Sequence, residues 1–430
     1  MKPRAEHDSF FVNETIYWPL RWLEAVNSFF RRYAGTPVIK LNRQKIAALT
    51  RVEHVHEAFG SQEMFHRMVD AFFTEFAANP HLSTMAVLGI TEWAKSCFQA
   101  RRECMDYIAA HPAVLQQKIE KPVVIMGVNR TGSTLLYNLL HQDERTRSPF
   151  MYEMYGDWPH LPSATSRAAQ YTDYRLGLLK KVFDQSRTVF PEGIIKRDNI
   201  HPGTPDMIEE EFIICGHAMN WFTQSTLVGP QFKALLLNED KDFVFKYLKI
   251  YLQMLQTGYA PASHWTLKSP SHLLHIDSFM RVFPDARVVV LHRDPEATVP
   301  SMCYLIEAYF GSYFRHDTWD RRALGRFVYD SYQTMLQRLQ RHRQSHPEKA
   351  EQFLDIKYSD LEADPIRQVQ RIYERFGISY DAALTDRLQA YLIQNKKHKH
   401  GKPDYSLAKY GLTGEELRRG FAAYTECYLQ

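Results

Sequence analysis

The sequence predicts an α/β protein: a parallel β-sheet flanked by helices, with an N-terminal helical region and a helical insertion. Three observations carry that prediction. Four short apolar runs are separated by helical stretches, the pattern of strands buried on both faces and covered by helices. The first of these runs passes through a Gly-containing turn directly into residues at helical spacing. Ahead of it, roughly the first 118 residues read as helical throughout.

Taken in order, Trp22, Leu23, Val26, Phe29, Phe30 and Tyr33 recur with a helical period, with Arg31 and Arg32 beside them. Such a helix can rest on a membrane surface, but packing onto its own domain is the expectation. Met64, Phe65, Met68, Val69, Phe72, Phe73 and Phe76 define one face of a second helix. The character changes at Lys121-Pro122. Val123 to Met126 reads as a strand, and Leu135, Leu136, Leu139 and Leu140 as the helix after its turn. Further strands are expected at Trp265 to Leu267, Val288 to Leu291 and, more weakly, Phe353 to Lys357. Between Met151 and His264 lies an elaboration with helices around Met207 to Phe222 and Phe243 to Gln256, expected to cover the site. An amphipathic helix follows from Leu324 to Leu339. The division expected is a helical region over 1–118 packed on an α/β domain over 119–430, the latter carrying an insertion at about 151–264.

Composition narrows the function classes. Of 430 residues, 53 are Lys or Arg and 49 Asp or Glu, a net charge of +4, with 45% hydrophobic and 24% charged residues. These are the proportions of a soluble globular protein, not of a disordered chain. With both signs interspersed there is no basic stripe, so no nucleic-acid partner is expected. Cys97, Cys104, Cys215, Cys303 and Cys427 form no C-x-x-C pair and read as reduced thiols. The N-terminus lacks the apolar core of a secretory signal, and the longest uncharged stretch, Phe212 to Phe232, is too polar for a bilayer. A cytoplasmic setting is the expectation.

The sharpest motif is Gly127-Val128-Asn129-Arg130-Thr131-Gly132-Ser133-Thr134 between strand and helix. A turn of this kind presents unpaired backbone N–H groups at the positive end of a helix dipole and cradles a phosphate. A nucleoside-triphosphatase loop has a Lys after its second Gly; here Ser133 stands there, and the cation is Arg130 inside the loop. Asp294, in an Asp-Pro turn, reads as a helix-start residue and not as a Mg²⁺ ligand. A second segment, Val288 to Ser301, places Arg293 at a strand end and Ser301 eight residues on, both directed to the sheet's carboxyl edge, where open α/β sheets bind ligands. A guanidinium and a hydroxyl converging there suit a second phosphate.

Together the two segments resemble the sulfotransferase superfamily, whose P-loop-type enzymes transfer a sulfuryl group from 3′-phosphoadenosine 5′-phosphosulfate (PAPS). The resemblance extends to Trp265-Thr-Leu-Lys268-Ser-Pro-Ser-His272, to Phe283-Pro-Asp-Ala, to Tyr358-Ser-Asp-Leu-Glu-Ala-Asp-Pro365 and to Gly401 through Leu412. The Arg-Thr-Gly-Ser-Thr loop is similar to that of the broad, mostly bacterial branch. It differs from the cytosolic eukaryotic branch, which has Lys for Arg130 and Lys-Thr-His for Lys268-Ser269-Pro270. The resemblance implies that Arg130, Thr131, Gly132, Ser133, Thr134 and Leu135 hold the 5′-phosphosulfate, and that Arg293 and Ser301 hold the 3′-phosphate. No metal is required, and the product is 3′,5′-ADP.

Lys268, at a strand end, is a candidate to meet the leaving group or the sulfonate. Two residues compete as the base, His272 and Glu153; His292, His201 and His217 rank below them. Lys399, His400 and Lys402, in a basic run, are candidates for a flap over the nucleotide. The acceptor class expected is a hydroxyl of a small molecule, lipid or carbohydrate. Trp158, Tyr171, Tyr174, Trp221 and Phe222 fit either an apolar acceptor or a core. The competing readings are a P-loop kinase or NTPase and a nucleotide-binding protein without turnover.

Overall fold

The four strands read from the apolar runs are present and parallel in the computed structural model, which describes residues 18–189, 204–238, 240–315, 318–395 and 406–430. They are β1 (Val123–Gly127), β2 (Thr266–Lys268), β3 (Arg287–His292) and β4 (Phe353–Lys357), in the order β2-β1-β3-β4. Register pairs Ile125 with Lys268 and Gly127 with Leu291. Because the strands run the same way, the loop after β1 lies between the end of β2, which is Lys268, and the end of β3, after which comes Arg293. This arrangement brings three distant pieces of sequence to one edge.

Alternation along β1 divides the core in two. Val124 and Met126, with Val288 and Val290 of β3, face a large cluster shared with the N-terminal helices. Those helices are α1 (Trp18–Tyr33), α2 (Arg43–Leu49), α3 (Gln62–Ala78) and α4 (Thr84–Ala110). Val123 and Ile125, with Val289 and Leu291, face the other side. There they meet α5 (Ser133–Leu140) and the helices Pro365–Phe376 and Ala382–Gln394. The result is helix, sheet, helix in three layers.

The insertion joins the first cluster through Phe212–His217 and Asp242–Gln256. Of the helix expected from Met207 to Phe222, only Phe212–His217 is α-helical. Trp158, Trp221 and Phe222 are core residues, with Trp221 packed among Phe72, Phe73 and Phe98. Tyr171 and Tyr174 are exposed. Cys97, Cys104, Cys215 and Cys303 are buried free thiols and Cys427 an exposed one. Among the described residues no helix is long and apolar enough to cross a membrane.

Candidate active site

The loop after β1 is built by two left-handed residues. Arg130 adopts φ 74° and Gly132 φ 87°, and a non-glycine residue held there carries strain of about 1–2 kcal/mol. Gly132 ends the turn as N-cap of α5, so the N-terminus of that helix points into the loop. Gly127 is required for a different reason: a Cβ there would lie 2.6 Å from the Leu291 carbonyl oxygen. The loop can therefore sit flush against β3. Thr131 turns its hydroxyl inward to the Val128 carbonyl at 3.0 Å, which leaves its backbone N–H, not its side chain, for an anion. Ser133 is buried; Thr134 and Leu135 are partly buried on the first turn of α5.

The cations converge as the sequence suggested. Arg130 Nε donates to Ser301 Oγ at 3.1 Å, and Arg293 Nη1 donates to the Arg130 carbonyl at 2.8 Å. The Arg293 guanidinium also lies on the Tyr358 ring, 3.9 Å from its centroid. Ser301 rides on the helix Pro295–Phe310, whose start is capped by Asp294 accepting from the Glu296 amide. The two anion segments thus form one contiguous cationic site. Tyr332 holds the loop from behind by donating to the Asn129 carbonyl at 3.0 Å.

At the other end of the loop, Lys268 is buried with its ammonium 3.4 Å from Thr134 Oγ1 and 2.5 Å from Glu210 Oε1. The Tyr137 ring lies beneath it. Burial and the nearby Glu211 carboxylate push the Tyr137 phenol well above its ordinary value, so it stays a donor, to the Glu209 carbonyl. Glu211 is fully buried; it accepts from the Lys268 amide at 2.8 Å and pairs with His272 Nε2 at 3.0 Å.

Both candidates for the base lie in the interior, each with its own partners. His272 has no exposed surface, stacks on Phe279, meets Phe245 edge-on and pairs with Glu211. Glu153 is also interior, where its carboxylate takes Arg147 at 3.1 Å, the Gln170 amide at 2.9 Å and the Phe150 N–H at 2.9 Å. The carboxylate is thus matched to a buried arginine. The two described weaker histidines are likewise tied down, His217 to the Met154 carbonyl and Tyr247, His292 to Asp355 and Tyr424. His201, Lys399, His400 and Lys402 lie outside the described residues.

Sequence reasoning missed Glu210 and Glu211. The available signal was the triplet Glu209-Glu210-Glu211 heading an uncharged stretch, since carboxylates carried into the interior with such a stretch must be paired.

Comparison with known proteins gives the family. A model described as the sulfotransferase family matches residues 122–382, more than half of the chain, and the chain belongs to that family. It is a sulfotransferase, of a family that uses PAPS as the sulfuryl donor. It is 26% identical over 315 residues to the omega-hydroxy-beta-dihydromenaquinone-9 sulfotransferase Stf3 of Mycobacterium bovis and of Mycobacterium tuberculosis, covering 69% of this chain and 71% of each relative. Among solved structures, sulfotransferase STF9 from Mycobacterium avium superposes with a TM-score of 0.79 at 24% identity, covering 91% of this chain and 97% of that one. Sulfotransferase STF1 from Mycobacterium tuberculosis gives 0.72 at 22%, covering 90% and 99%. These two likenesses establish the fold.

Proposed function

We propose that this sulfotransferase modifies a hydroxyl on an apolar lipid, with Glu210 as the proton acceptor and Lys268 as the cation at the transferring group. The observation that carries the residue assignment is the Glu210–Lys268 pair standing beside Thr134 at the head of the loop. In this reading the loop amides, Arg130, Ser133 and Thr134 bind the 5′-phosphosulfate, and Arg293 with Ser301 binds the 3′-phosphate. The acceptor oxygen forms a bond to sulfur as the bond from sulfur to the phosphate oxygen breaks. The electron pair leaves on the phosphate, where Arg130 and Lys268 meet it, and the hydroxyl proton passes to Glu210. Glu211, braced by His272, is a positioning residue that fixes the Lys268 backbone. Support for the lipid acceptor comes from the curated relative, whose named substrate is a hydroxylated menaquinone.

Purified protein assayed with PAPS and ω-hydroxylated isoprenoid quinones, beside sugar and small phenol acceptors, tests both parts. Glu210→Gln is expected to lower kcat by about 10²–10³ while 3′,5′-ADP still raises the melting temperature. Arg293→Ala is expected to abolish that shift. Since cationic side chains meet the leaving phosphate, turnover is expected to be unchanged by EDTA. Full activity of Glu210→Gln, or turnover only on sugars, would overturn the corresponding half of the reading.

A further inference from the structure

Helix α1 is turned the opposite way from a globular surface helix, which keeps its apolar stripe inward. Its inward side is fastened by polar residues, flanked by the half-buried Leu23 and Val26. Asn27 is buried and bonds both the Ile39 backbone and Thr84 Oγ1, and Glu24, the only carboxylate of α1, accepts from the Thr84 amide at 2.6 Å. Its outward side carries Trp22, Phe29 and Tyr33, which are 62%, 58% and 68% exposed, with Phe30 beside them at 40%. Phe29 and Tyr33 pack ring against ring, 4.7 Å apart, so the aromatics form a stripe and not scattered points. Arg21 and Arg32 are exposed along the margin of this stripe. The helix does pack onto its own domain, against α4, but through its inward side, and its aromatics face outward.

We propose that α1 is an interfacial membrane helix, lying in the plane of an anionic bilayer with Trp22, Phe29 and Tyr33 inserted and the arginines on lipid phosphates. The chemistry selects this occupant. Trp and Tyr have an apolar body and a polar edge suited to the headgroup boundary, and cationic flanks complement anionic lipid. A second copy of the chain is disfavoured, because a two-fold contact through this face would bring Arg21 and Arg32 together while the carboxylate of α1 is turned inward. The inference deepens the lipid-acceptor reading and rests on it for its purpose: a bilayer-held acceptor would be met where it resides.

The test is flotation of the full chain with vesicles of phosphatidylcholine alone and of phosphatidylcholine with phosphatidylglycerol. The wild type is expected to float with the anionic vesicles, less with the neutral ones and less in high salt. Replacing the three most exposed aromatics together (Trp22→Ser, Phe29→Ser, Tyr33→Ser) is expected to cut bound protein at least about tenfold, while the 3′,5′-ADP melting shift is unchanged. Wild type that stays with the unbound protein, or a triple variant that floats equally well, would sink the proposal. Light scattering that finds a dimer dispersed by the triple variant, with no flotation, would assign the face to a second copy instead. Loss of the 3′,5′-ADP shift in the wild type would refute the nucleotide site while leaving the flotation result to be judged by itself.

Discussion

Three residues show how burial separates chemistry from support. Glu153, Glu210 and Glu211 are all paired, yet of the three carboxylates only Glu210 keeps access, its side chain 13% exposed against 1% for Glu153 and 0% for Glu211. Glu153 and Arg147 are each 1% exposed, so removing the carboxylate leaves a guanidinium stranded. Glu153→Ala is expected to lower stability by about 3–5 kcal/mol in urea titration, with nucleotide affinity of the folded protein retained. A kcat loss at unchanged stability would return Glu153 to the catalytic set. Gly132 has the reverse profile. At φ 87° a Cβ would meet Tyr358 at 3.1 Å and Leu361 at 3.2 Å, so Gly132→Ala is expected to cost about 1–2 kcal/mol. It also displaces the ring on which Arg293 rests, and 3′,5′-ADP binding should weaken with it.

At the scale of elements, the sheet was legible because its strands are buried on both faces and so appear as unbroken apolar runs. Val123 to Met126 and Phe353 to Lys357 fall on observed strands, and Trp265 to Leu267 is displaced by one residue. The loop was legible for a related reason: glycine at fixed positions is a backbone requirement that leaves its mark on the sequence. What could not be read was direction. The helical period of α1 is correct, but a period does not say which face is inward, and Asn27 and Glu24 decided that through contacts to residues 39 and 84. Glu210 was hidden similarly, since its partner Lys268 lies on the far side of the insertion. The segment after the undescribed residues 396–405 is stapled to the Ser301 helix by Glu307, which is fully buried and takes Arg321 at 2.7 Å, Tyr410 at 2.9 Å and Lys409 at 3.3 Å. Tyr410→Phe removes one of these and is expected to cost about 1.5–3 kcal/mol, read from the urea midpoint. An unchanged midpoint would mean the staple is not formed in solution.

For the whole molecule, the buried histidines set an acid limit on stability. Burial lowers His141 and His217 to about 3 and His264 to about 4, each from an ordinary value of 6.5. In the unfolded chain all three take up protons as pH falls below about 6.5, whereas the native state refuses them until about 3 to 4. The unfolded state therefore binds more protons across that window, and stability rises with pH through it. The contribution is complete above 6.5 and is lost as pH falls, at about 1.4 kcal/mol per pH unit for each histidine. Three together approach about 4 kcal/mol per unit, against a total of about 5–15 kcal/mol for a folded domain. Carboxylates held low by their partners, such as Asp143 beside Arg145, act in the same direction but only below their ordinary value of 3.8. The onset separates the two causes. Urea midpoints measured from pH 8 to 4 are expected to be flat above 6.5 and to decline steeply from about 6. His217→Gln should reduce the slope by about one proton's share whatever it does to the midpoint at pH 8. A profile flat down to pH 4.5 would show that these imidazoles are reached by solvent in the native protein.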